Sequence, residues 1–455
     1  MEPNTALLGP DNDYLRLFDA NRGKLTQSIP SFLVDLRKEA VESFRMLGIP
    51  GKKNENYRYI DLQTSFNNTF RKELQPKNIT FNVEDIFRCD IPELDADVIL
   101  VLNGIYYDTH RPMRELEGGI LAGSLAEAFR LFPGIVEKHF GKYADHRKDG
   151  LVALNTALAT DGFFLYVPDG IQMKKPIQVI NLLMSDEPTF SQQRNLLVIG
   201  KGASVSLVVC DHTLSPEKFL SNNLTEVFAA RDSRFEITRL QNEHNASTQV
   251  LSQFYMQEAN SLVNNNTITL HGGMVRNNLY VQLNGEGAEN NAYGLFITDQ
   301  GQHVDNYTFV DHAVAHCNSN QLFKGVLDDY SSGAFNGRIL VRKDSQKTVA
   351  YQKNNNLLLT SDARINTKPQ LEIYADDVKC SHGAAVGQLD KQAMFYLQSR
   401  GIGRDEARLL LMNAFANEII AKIQVEPIRE RIAELVGKRL RGELSRCHNC
   451  TMHCC

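Results

Sequence analysis

The chain has 455 residues, of which 42% are hydrophobic and 23% are charged, and its formal net charge is −5. This composition is typical of a globular protein with an apolar core, and the acidic balance argues against a basic surface for nucleic acid. The first residues lack the basic and apolar regions of a signal peptide, and no apolar run approaches the roughly 18 residues that span a bilayer, so we expect a cytoplasmic protein with reduced thiols and no membrane partner.

Residues 1–160 are predicted to form an N-terminal region of helices with some β structure. The segment "SIPSFLVDLRKEAVESFRMLGIP" repeats apolar residues every three or four positions and ends in Gly and Pro, which predicts a helix. A strand at 98–102 followed by Asn103 and Gly104 predicts a hairpin, because this dipeptide favours the turn between paired strands. The segment "GSLAEAFRLF" predicts a further helix.

Residues 161–388 are predicted to form a parallel β-helix, which makes the fold class mainly β. Short apolar runs such as "FFLYVP", "SVSLVVC" and "TITLHGG" follow one another without helical periodicity. A β-sandwich is the alternative, but the region is long for one sandwich, and similar units recur as they do in stacked coils. We assign the asparagine-rich stretches "VNNNTI" and "QKNNNLLL" to turns, because asparagine tolerates left-handed backbone conformations.

Residues 389–443 are predicted to form a C-terminal helical domain, followed by a Cys/His-rich tail at 444–455. The helical pattern is interrupted at Gly401 and Gly403, and Pro427 suits the first turn of a last helix. One apolar stripe is formed by Leu409, Met412, Ala416, Ile419 and Ile423. This stripe serves either the core of the protein or a partner protein.

Cys380 and His382 lie two positions apart in "VKCSHGAAVGQLDK". If this segment ends the last strand of the β region, the two side chains share a face and can converge on one metal ion, while Ser381 points away. Two donors are too few for a closed metal site, and no third group completes a catalytic triad. The small residues that follow leave room for a close neighbour, so we interpret the pair as half of a site. The alternative is a buried thiol beside a hydrogen-bonded histidine.

Two further groups of donors are candidates. His312, His316 and Cys317 are accessory ligands if they fold towards the pair; on one strand the two histidines would share a face that Cys317 opposes, although a core or turn histidine is the commoner outcome. The tail offers soft ligands at Cys447, Cys450, Cys454 and Cys455. They suit zinc or a cluster, but so short a segment cannot easily wrap a metal ion, and an exposed thiol tail is the alternative.

The segment "CSHGAAVGQLDKQAMFYLQSRGI" resembles the signature of the SufB/SufD family of iron–sulfur cluster assembly proteins, in its SufD form. The resemblance extends upstream through "KPQLEIYADDVKCSHG" and "HVDNYTFVDHAVAHCNSNQLFKGVLDDYSSGAFNGRILV", and it spans residues 115 to 437 approximately. SufB members usually carry a glutamate-containing segment where this chain has Cys-Ser-His-Gly, which favours SufD. The family implies a right-handed parallel β-helix with a helical C-terminal domain.

The resemblance also implies a function and a set of residues. It implies a non-catalytic scaffold subunit that pairs with SufB and binds the ATPase SufC, and the chain itself has no P-loop motif. It implies transient iron or an iron–sulfur cluster shared with the partner, admits a flavin in the complex, and implies no tightly bound cofactor. The functional histidine of the family corresponds to His382 and its neighbouring cysteine to Cys380. The SufC-binding region corresponds to the C-terminal helices, with Arg408, Leu409, Met412, Phe415 and Ile419.

Two alternatives to the SufD assignment are weighed. One is a SufB-like scaffold that forms a homodimer. The other is a β-helix enzyme that acts on polysaccharide, which needs a pair of carboxylates on the same side of a groove. Asp376 and Asp377 are adjacent, so on a strand they would face opposite ways, and the chain has no tryptophan for stacking on sugars.

Overall fold

A computed structural model of the chain describes residues 10–27, 29–68, 70, 74, 94–108 and 110–444. The predicted tail site at Cys447, Cys450, Cys454 and Cys455 lies outside these residues. The described α-helices are α1 (Pro10–Thr26), α2 (Ser31–Leu47), α3 (Leu62–Phe66), α4 (Leu125–Leu131), α5 (Pro133–His139), α6 (Gly150–Leu158), α7 (Lys391–Ser399), α8 (Arg404–Ile420) and α9 (Glu426–Leu440). A 3-10 helix spans Glu55–Tyr57.

The described strands all follow helix α3 in the chain. They are β1 (Asp97–Leu102), β2 (Ile105–Tyr106), β3 (Met113–Leu116), β4 (Ile120–Ser124), β5 (Phe163–Val167), β6 (Ile177–Leu183), β7 (Thr189–Ile199), β8 (Ser204–Thr213), β9 (Phe219–Ala229), β10 (Arg234–Asn242), β11 (Thr248–Gln257), β12 (Leu262–His271), β13 (Met274–Leu283), β14 (Glu289–Thr298), β15 (His303–His312), β16 (Asn318–Leu327), β17 (Ser332–Val341), β18 (Val349–Leu358), β19 (Arg364–Ile373) and β20 (Lys379–Gly387).

These strands form two ten-stranded sheets. Sheet A has the order β2-β1-β6-β8-β10-β12-β14-β16-β18-β20, and sheet B has the order β3-β4-β5-β7-β9-β11-β13-β15-β17-β19. From β5 onwards, successive strands alternate between the sheets, and neighbouring strands within each sheet are parallel. Each pair of successive strands is therefore one coil of a parallel β-helix, as predicted. The space between the sheets, called the lumen below, is filled mainly by apolar side chains from both.

The two sheets begin upstream of residue 161. Strand β1 pairs in parallel with β6, and β4 pairs antiparallel with β5. The hairpin between β1 and β2 is confirmed: Asn103 and Gly104 form its turn with φ values of 49° and 84°. The pattern of short apolar runs starts only near residue 161 because helices α4, α5 and α6 separate the earlier strands from the rest.

One corner of the β-helix repeats the same backbone conformation in successive coils. The corner residue has a positive φ at Gly202, Asp232, Asn260, Gly287, His316 and Lys347. The next residue is fully buried at Ala203, Ser233, Ser261, Ala288, Cys317 and Thr348. The backbone N–H of one corner residue donates to a carbonyl of the next coil, as His316 does to Gln346 over 2.9 Å. The corner therefore requires a residue that tolerates the left-handed region, followed by a side chain small enough for the interior.

The asparagine-rich stretches lie inside strands, so their assignment to turns is wrong. The stretch "VNNNTI" belongs to β12 and "QKNNNLLL" belongs to β18. Within the lumen, Asn265 Nδ2 donates to the hydroxyl of Tyr255 over 2.9 Å. On the outer face of sheet A, Asn291 Nδ2 donates to Asn264 Oδ1 over 3.0 Å. Hydrogen bonds across the lumen and between neighbouring coils offset the low strand propensity of asparagine, and a single stretch of sequence does not show them.

Helices cover the outer faces of both sheets, and the predicted N-terminal and C-terminal helices are confirmed. Helices α1, α2 and α6 contribute to one apolar cluster with Phe190, Leu220 and Val250 of sheet B. Helices α8 and α9 pack on the outer face of sheet A. Polar contacts also fix these C-terminal helices, since Arg439 Nε donates to the carbonyl of Leu270 over 2.9 Å and Lys324 Nζ donates to that of Phe415 over 3.0 Å.

Candidate functional site

Strands β19 and β20 leave the β-helix open at its C-terminal end. Among the described residues, each is the last strand of its sheet and pairs with another strand on one side only. Eight of the nine residues of β20 are exposed. Exposed apolar side chains at this end include Val386 of β20, Ile373 at the end of β19 and the adjacent Tyr374. An uncovered edge with free backbone donors and acceptors can extend its sheet with another strand.

The Cys-Ser-His segment begins the last strand instead of ending it. Sequence reasoning treats "LEIYADDVKCSHG" as one strand, whereas the structure divides it between β19 in sheet B and β20 in sheet A. The glycine and alanines after His382 continue β20. These small residues carry little strand propensity, so β20 is identified by its pairing with β18 and not by its own composition. The placement of Cys380 and His382 on one face of a strand is retained.

Cys380 points into the lumen at the open end. It is in register with the fully buried Ala350 of β18, and its half-buried thiol packs against the lumenal apolar cluster. Burial raises the pKa of this thiol, and a backbone hydrogen bond from Ala350 opposes that shift. The thiol is therefore protonated near neutral pH, and it must lose its proton to act as a metal ligand.

His382 is exposed and lies on the same face of β20 as Cys380. It is in register with Gln352, a side chain of β18 that is fully buried in the lumen. The imidazole therefore stands at the mouth of the lumen, between the buried interior and solvent. Among the described residues, no cluster of three or more His, Cys, Asp or Glu side chains could hold a metal ion. The described part of the chain thus provides two neighbouring donors at an open edge, without a third.

The accessory candidates are placed elsewhere. His312 ends β15, is fully buried, and its Nε2 forms a 2.9 Å hydrogen bond with the hydroxyl of Ser319; burial lowers its pKa to about 4. His316 and Cys317 occupy the repeated corner, His316 exposed at positive φ and Cys317 buried beneath it. Burial raises the pKa of Cys317 to about 11. The three residues do not share one strand, because the chain turns after His312, and they do not converge on Cys380 and His382.

Comparison with known protein families decides what kind of chain carries this open end. Residues 182–415 match the family described as "SUF system FeS cluster assembly, SufBD core domain", and residues 9–179 match the "SufBD protein N-terminal region". This chain belongs to the SufBD family of iron–sulfur cluster assembly proteins. The family expectation drawn from the Cys-Ser-His signature is thereby confirmed.

Individual SufBD relatives align over most of the chain. A SufBD family protein of Synechocystis is 28% identical over 421 residues, which cover 90% of this chain and 91% of the relative. The SufD protein of Escherichia coli is 27% identical over 401 residues, covering 87% and 90%. The SufD protein of Bacillus subtilis is 24% identical over 443 residues, covering 95% and 99%. The relatives from E. coli and B. subtilis are both named SufD.

The residues mapped to SufC binding lie mostly beneath the surface of this SufBD chain. Met412 and Ile419 are buried against sheet A, and Leu409 and Phe415 pack partly against the same cluster. Arg408 forms an ion pair with Asp328 over 3.1 Å. Helical periodicity identifies residues that share a face, but it does not tell which neighbour covers that face.

Sequence reasoning missed the apolar residues that are exposed on the C-terminal helices. Helix α7 has no buried residue, and Phe395 and Tyr396 are 73% and 58% exposed. Leu410 on α8 is also exposed. The signal that marks them is the vicinal aromatic pair, which a search for one continuous stripe passes over. Among the described residues, no helix combines the length and apolar character needed to cross a membrane.

A separate cleft lies on the outer face of sheet B. It has a volume of about 410 Å³ and is lined by side chains that include Tyr280, Phe309 and Arg338, together with residues of the N-terminal region such as Lys142. None of its lining residues belongs to β20. The cleft is therefore distinct from the open end that carries Cys380 and His382.

Proposed function

We propose that this SufBD protein is the SufD-type, non-catalytic subunit of a cytoplasmic complex that assembles iron–sulfur clusters. In this proposal it pairs with a SufB-type subunit through the edges of β19 and β20. Cys380 and His382 supply donors to iron or to a nascent cluster at the interface between the two subunits, and the partner supplies the remaining donors. The observation that carries the proposal is the position of both donors on an uncovered edge strand.

The shape of the open end supports pairing with a similar chain. Both sheets end at the same end of the β-helix, so a partner with the same architecture can meet two edges at once. Backbone hydrogen bonds across the edges provide affinity, and the exposed side chains of Val386, Ile373 and Tyr374 provide apolar contact. The long β-helix holds the edges rigid, which reduces the entropy lost on association.

The chemistry of the donors supports iron or sulfide-containing cargo. Thiolate is a soft ligand and imidazole a borderline one, and both are common ligands of iron and of iron–sulfur clusters. The iron is cargo in this proposal, held only while a cluster forms. Because burial raises the pKa of the Cys380 thiol, the isolated chain does not present a preformed thiolate. Positive charge from bound iron would favour loss of this proton.

We further propose that helix α7 and the adjacent part of α8 bind the SufC-type ATPase. A nine-residue helix without a buried residue is too short to be stable in water by itself. Its exposed aromatic residues Phe395 and Tyr396, with Leu410 nearby in sequence on α8, provide the apolar anchors that interfaces commonly use. In this proposal these exposed side chains make the contact, while Met412 and Ile419 of the predicted stripe pack against sheet A.

A homodimeric, SufB-like scaffold is the second candidate, because the same edges can pair two copies of the chain about a two-fold axis. Polysaccharide hydrolysis gains no support, since Asp377 forms an ion pair with Lys347 and lies with Asp376 in the exposed connection between β19 and β20. The SufD-type subunit and the homodimeric scaffold predict different native complexes: the first contains a SufB-type chain, and the second contains two copies of this chain.

The test is native mass spectrometry of the full chain purified without oxygen, alone and after co-expression with SufB-type and SufC-type chains. We expect a complex that contains all three chains, with iron and sulfide measured in parallel. A stable homodimer that excludes the SufB-type chain would overturn the SufD assignment in favour of the second candidate.

A further inference from the structure

Gln352 lies directly behind His382 in the wall of the lumen. The two residues are register partners on the adjacent parallel strands β18 and β20, so their side chains occupy the same face. Neighbouring strands in a sheet are about 4.8 Å apart, and a glutamine side chain can bridge that spacing. In the part of the chain that the structure describes, no strand of sheet A lies beyond β20. Gln352 is therefore the buried polar side chain that faces the imidazole from within the coil.

The Nε2 atom of the Gln352 amide is held by a hydrogen bond inside the lumen. Its Nε2 donates to Oε1 of Gln321 over 3.2 Å, and the hydroxyl of Thr308 donates to the same oxygen over 2.7 Å. Gln321 of β16 is the register partner of Gln352 on its other side, so Gln321, Gln352 and His382 form one column of side chains across sheet A. Gly337 of sheet B makes room for this arrangement, because a Cβ there would lie 2.4 Å from Gln352 Nε2. These contacts hold the amide in one orientation.

Among the described residues, the Oε1 atom of the Gln352 amide has no hydrogen-bond donor. Gln352 is fully buried, and within the described part of the chain its Oε1 accepts no hydrogen bond. A buried acceptor left without a donor destabilises the folded chain. Nε2 donates to Gln321 on one side, and His382 is the register partner of Gln352 on the opposite side, next to the unpartnered Oε1. An imidazole N–H is the donor that this position can receive.

We propose that Gln352 is a positioning residue for His382: its Oε1 accepts a hydrogen bond from one ring nitrogen and thereby leaves the other ring nitrogen unprotonated and directed out of the lumen. This inference rests on the proposed function for the role of the outward nitrogen as a ligand. Histidines that bind metals commonly donate their other ring N–H to a carbonyl or carboxylate, which fixes the tautomer and the ring orientation. No proton is transferred, and no further group is required.

The tautomer of His382 provides a direct test. The full chain is labelled with ¹⁵N-histidine, the His382 signals are assigned by their loss in His382→Ala, and the ring ¹⁵N shifts are measured well above the pH at which histidine titrates. We expect one protonated and one unprotonated nitrogen in the wild type. In Gln352→Leu, which removes the acceptor at similar volume, the shifts should move to the averaged values of a free imidazole. Gln352→Glu, which retains an acceptor, should restore the single tautomer.

Asn354→Leu is the matched control. Asn354 is a fully buried lumenal amide on the same strand, but its register partner is Ala384, which has no polar group. This variant should leave the tautomer of His382 unchanged, and thermal unfolding of each variant shows whether the β-helix remains intact. An unchanged His382 tautomer in folded Gln352→Leu would overturn the inference. If Leu at 352 prevents folding, Gln352→Met provides the same test.

The metal readout separates this inference from the proposed function. In the co-purified complex, Gln352→Leu should weaken iron retention by about 10- to 100-fold, the range found when such a supporting hydrogen bond is removed. If Gln352 fixes the tautomer but His382→Ala retains iron like the wild type, the proposed function fails and the positioning contact stands. If His382→Ala loses iron but Gln352→Leu changes neither the tautomer nor iron retention, the positioning contact fails alone.

Discussion

Arg194 and Glu226 form an ion pair that is almost completely removed from solvent, with side chains 1% and 0% exposed and an Nη2–Oε2 distance of 2.5 Å. The two residues lie on β7 and β9 of sheet B. Glu226 also accepts hydrogen bonds from the backbone N–H groups of Gly141, Tyr143 and Ala144. One carboxylate thus connects the N-terminal region to the β-helix.

We expect Glu226→Gln to lower the free energy of unfolding by about 3–5 kcal/mol, because it leaves the Arg194 charge buried without its counter-charge. Replacing both residues with apolar ones, as in Arg194→Met with Glu226→Leu, should cost less than the two single changes combined. Urea unfolding measures the difference. Asp35→Asn, which breaks the exposed pair with Lys38, is the control and should cost less than about 1 kcal/mol. If Glu226→Gln and the control variant lower the free energy of unfolding equally, the buried pair has no special role in stability.

Acid should destabilise the protein through His312. Burial lowers its pKa to about 4 in the folded chain, whereas an unfolded histidine titrates near 6.5. Between these values the unfolded state binds a proton that the folded state does not, so the free energy of unfolding falls as pH decreases. The full contribution approaches about 3 kcal/mol at pH 4 and below.

His312→Gln should therefore lose less stability than the wild type between pH 7 and pH 4.5, by about 2 kcal/mol in urea unfolding. The exposed corner residue His316 is the matched control, and His316→Gln should follow the wild-type pH dependence. Parallel pH profiles for the wild type and His312→Gln would show that this buried imidazole does not control the acid response.

The edge of β20 should control assembly and not folding. Val386 is 47% exposed, so Val386→Glu should leave thermal unfolding nearly unchanged while it weakens binding to the SufB-type chain, since a buried charge without a partner opposes association. Val98 of β1 has a similar exposure of 48% near the other end of sheet A. Val98→Glu is therefore the control. Co-purification yields that fall equally in both variants would exclude this edge as the specific interface.

The thiols should differ in reactivity according to their place in the β-helix. Cys380 is half-buried at the open end, whereas Cys317 is fully buried with its pKa raised to about 11. At pH 8, iodoacetamide should modify Cys380 faster than Cys317, as measured peptide by peptide with mass spectrometry. Modification of Cys380 should accelerate further towards pH 9.5 because burial raises its pKa. Complex formation should protect Cys380, and unchanged labelling in the complex would argue against an interface there.

The architecture could be predicted from sequence where the signals are local. The short apolar runs of the strands, the Asn103-Gly104 turn and the apolar stripes of the C-terminal helices all depend on neighbours within a few residues. The asparagine-rich strands could not be recognised in this way, because their side chains bond to neighbouring coils that are distant in sequence. The same reason applies to β20, whose small residues form a strand only by pairing with β18.

The candidate site could also be predicted only in part, because some of its features depend on local spacing and others on contacts between distant residues. The two-residue spacing places Cys380 and His382 on one face, as the sequence predicts. The positions of His312, His316 and Cys317 depend on where each coil turns, and the corner separates His316 and Cys317 from β15. Gln352 carries no recognisable motif, because its relation to His382 exists only through strand register.

Iron bound by the anaerobically purified complex, compared between the wild type, His382→Ala and His316→Ala, tests most directly whether the open end of the lumen holds part of a shared site. Both histidines are exposed, but only His382 lies on the edge strand. We expect His382→Ala to lose most of the iron and sulfide while the three chains still co-purify, and His316→Ala to match the wild type. Full iron and sulfide content in His382→Ala would contradict a ligand role for this edge.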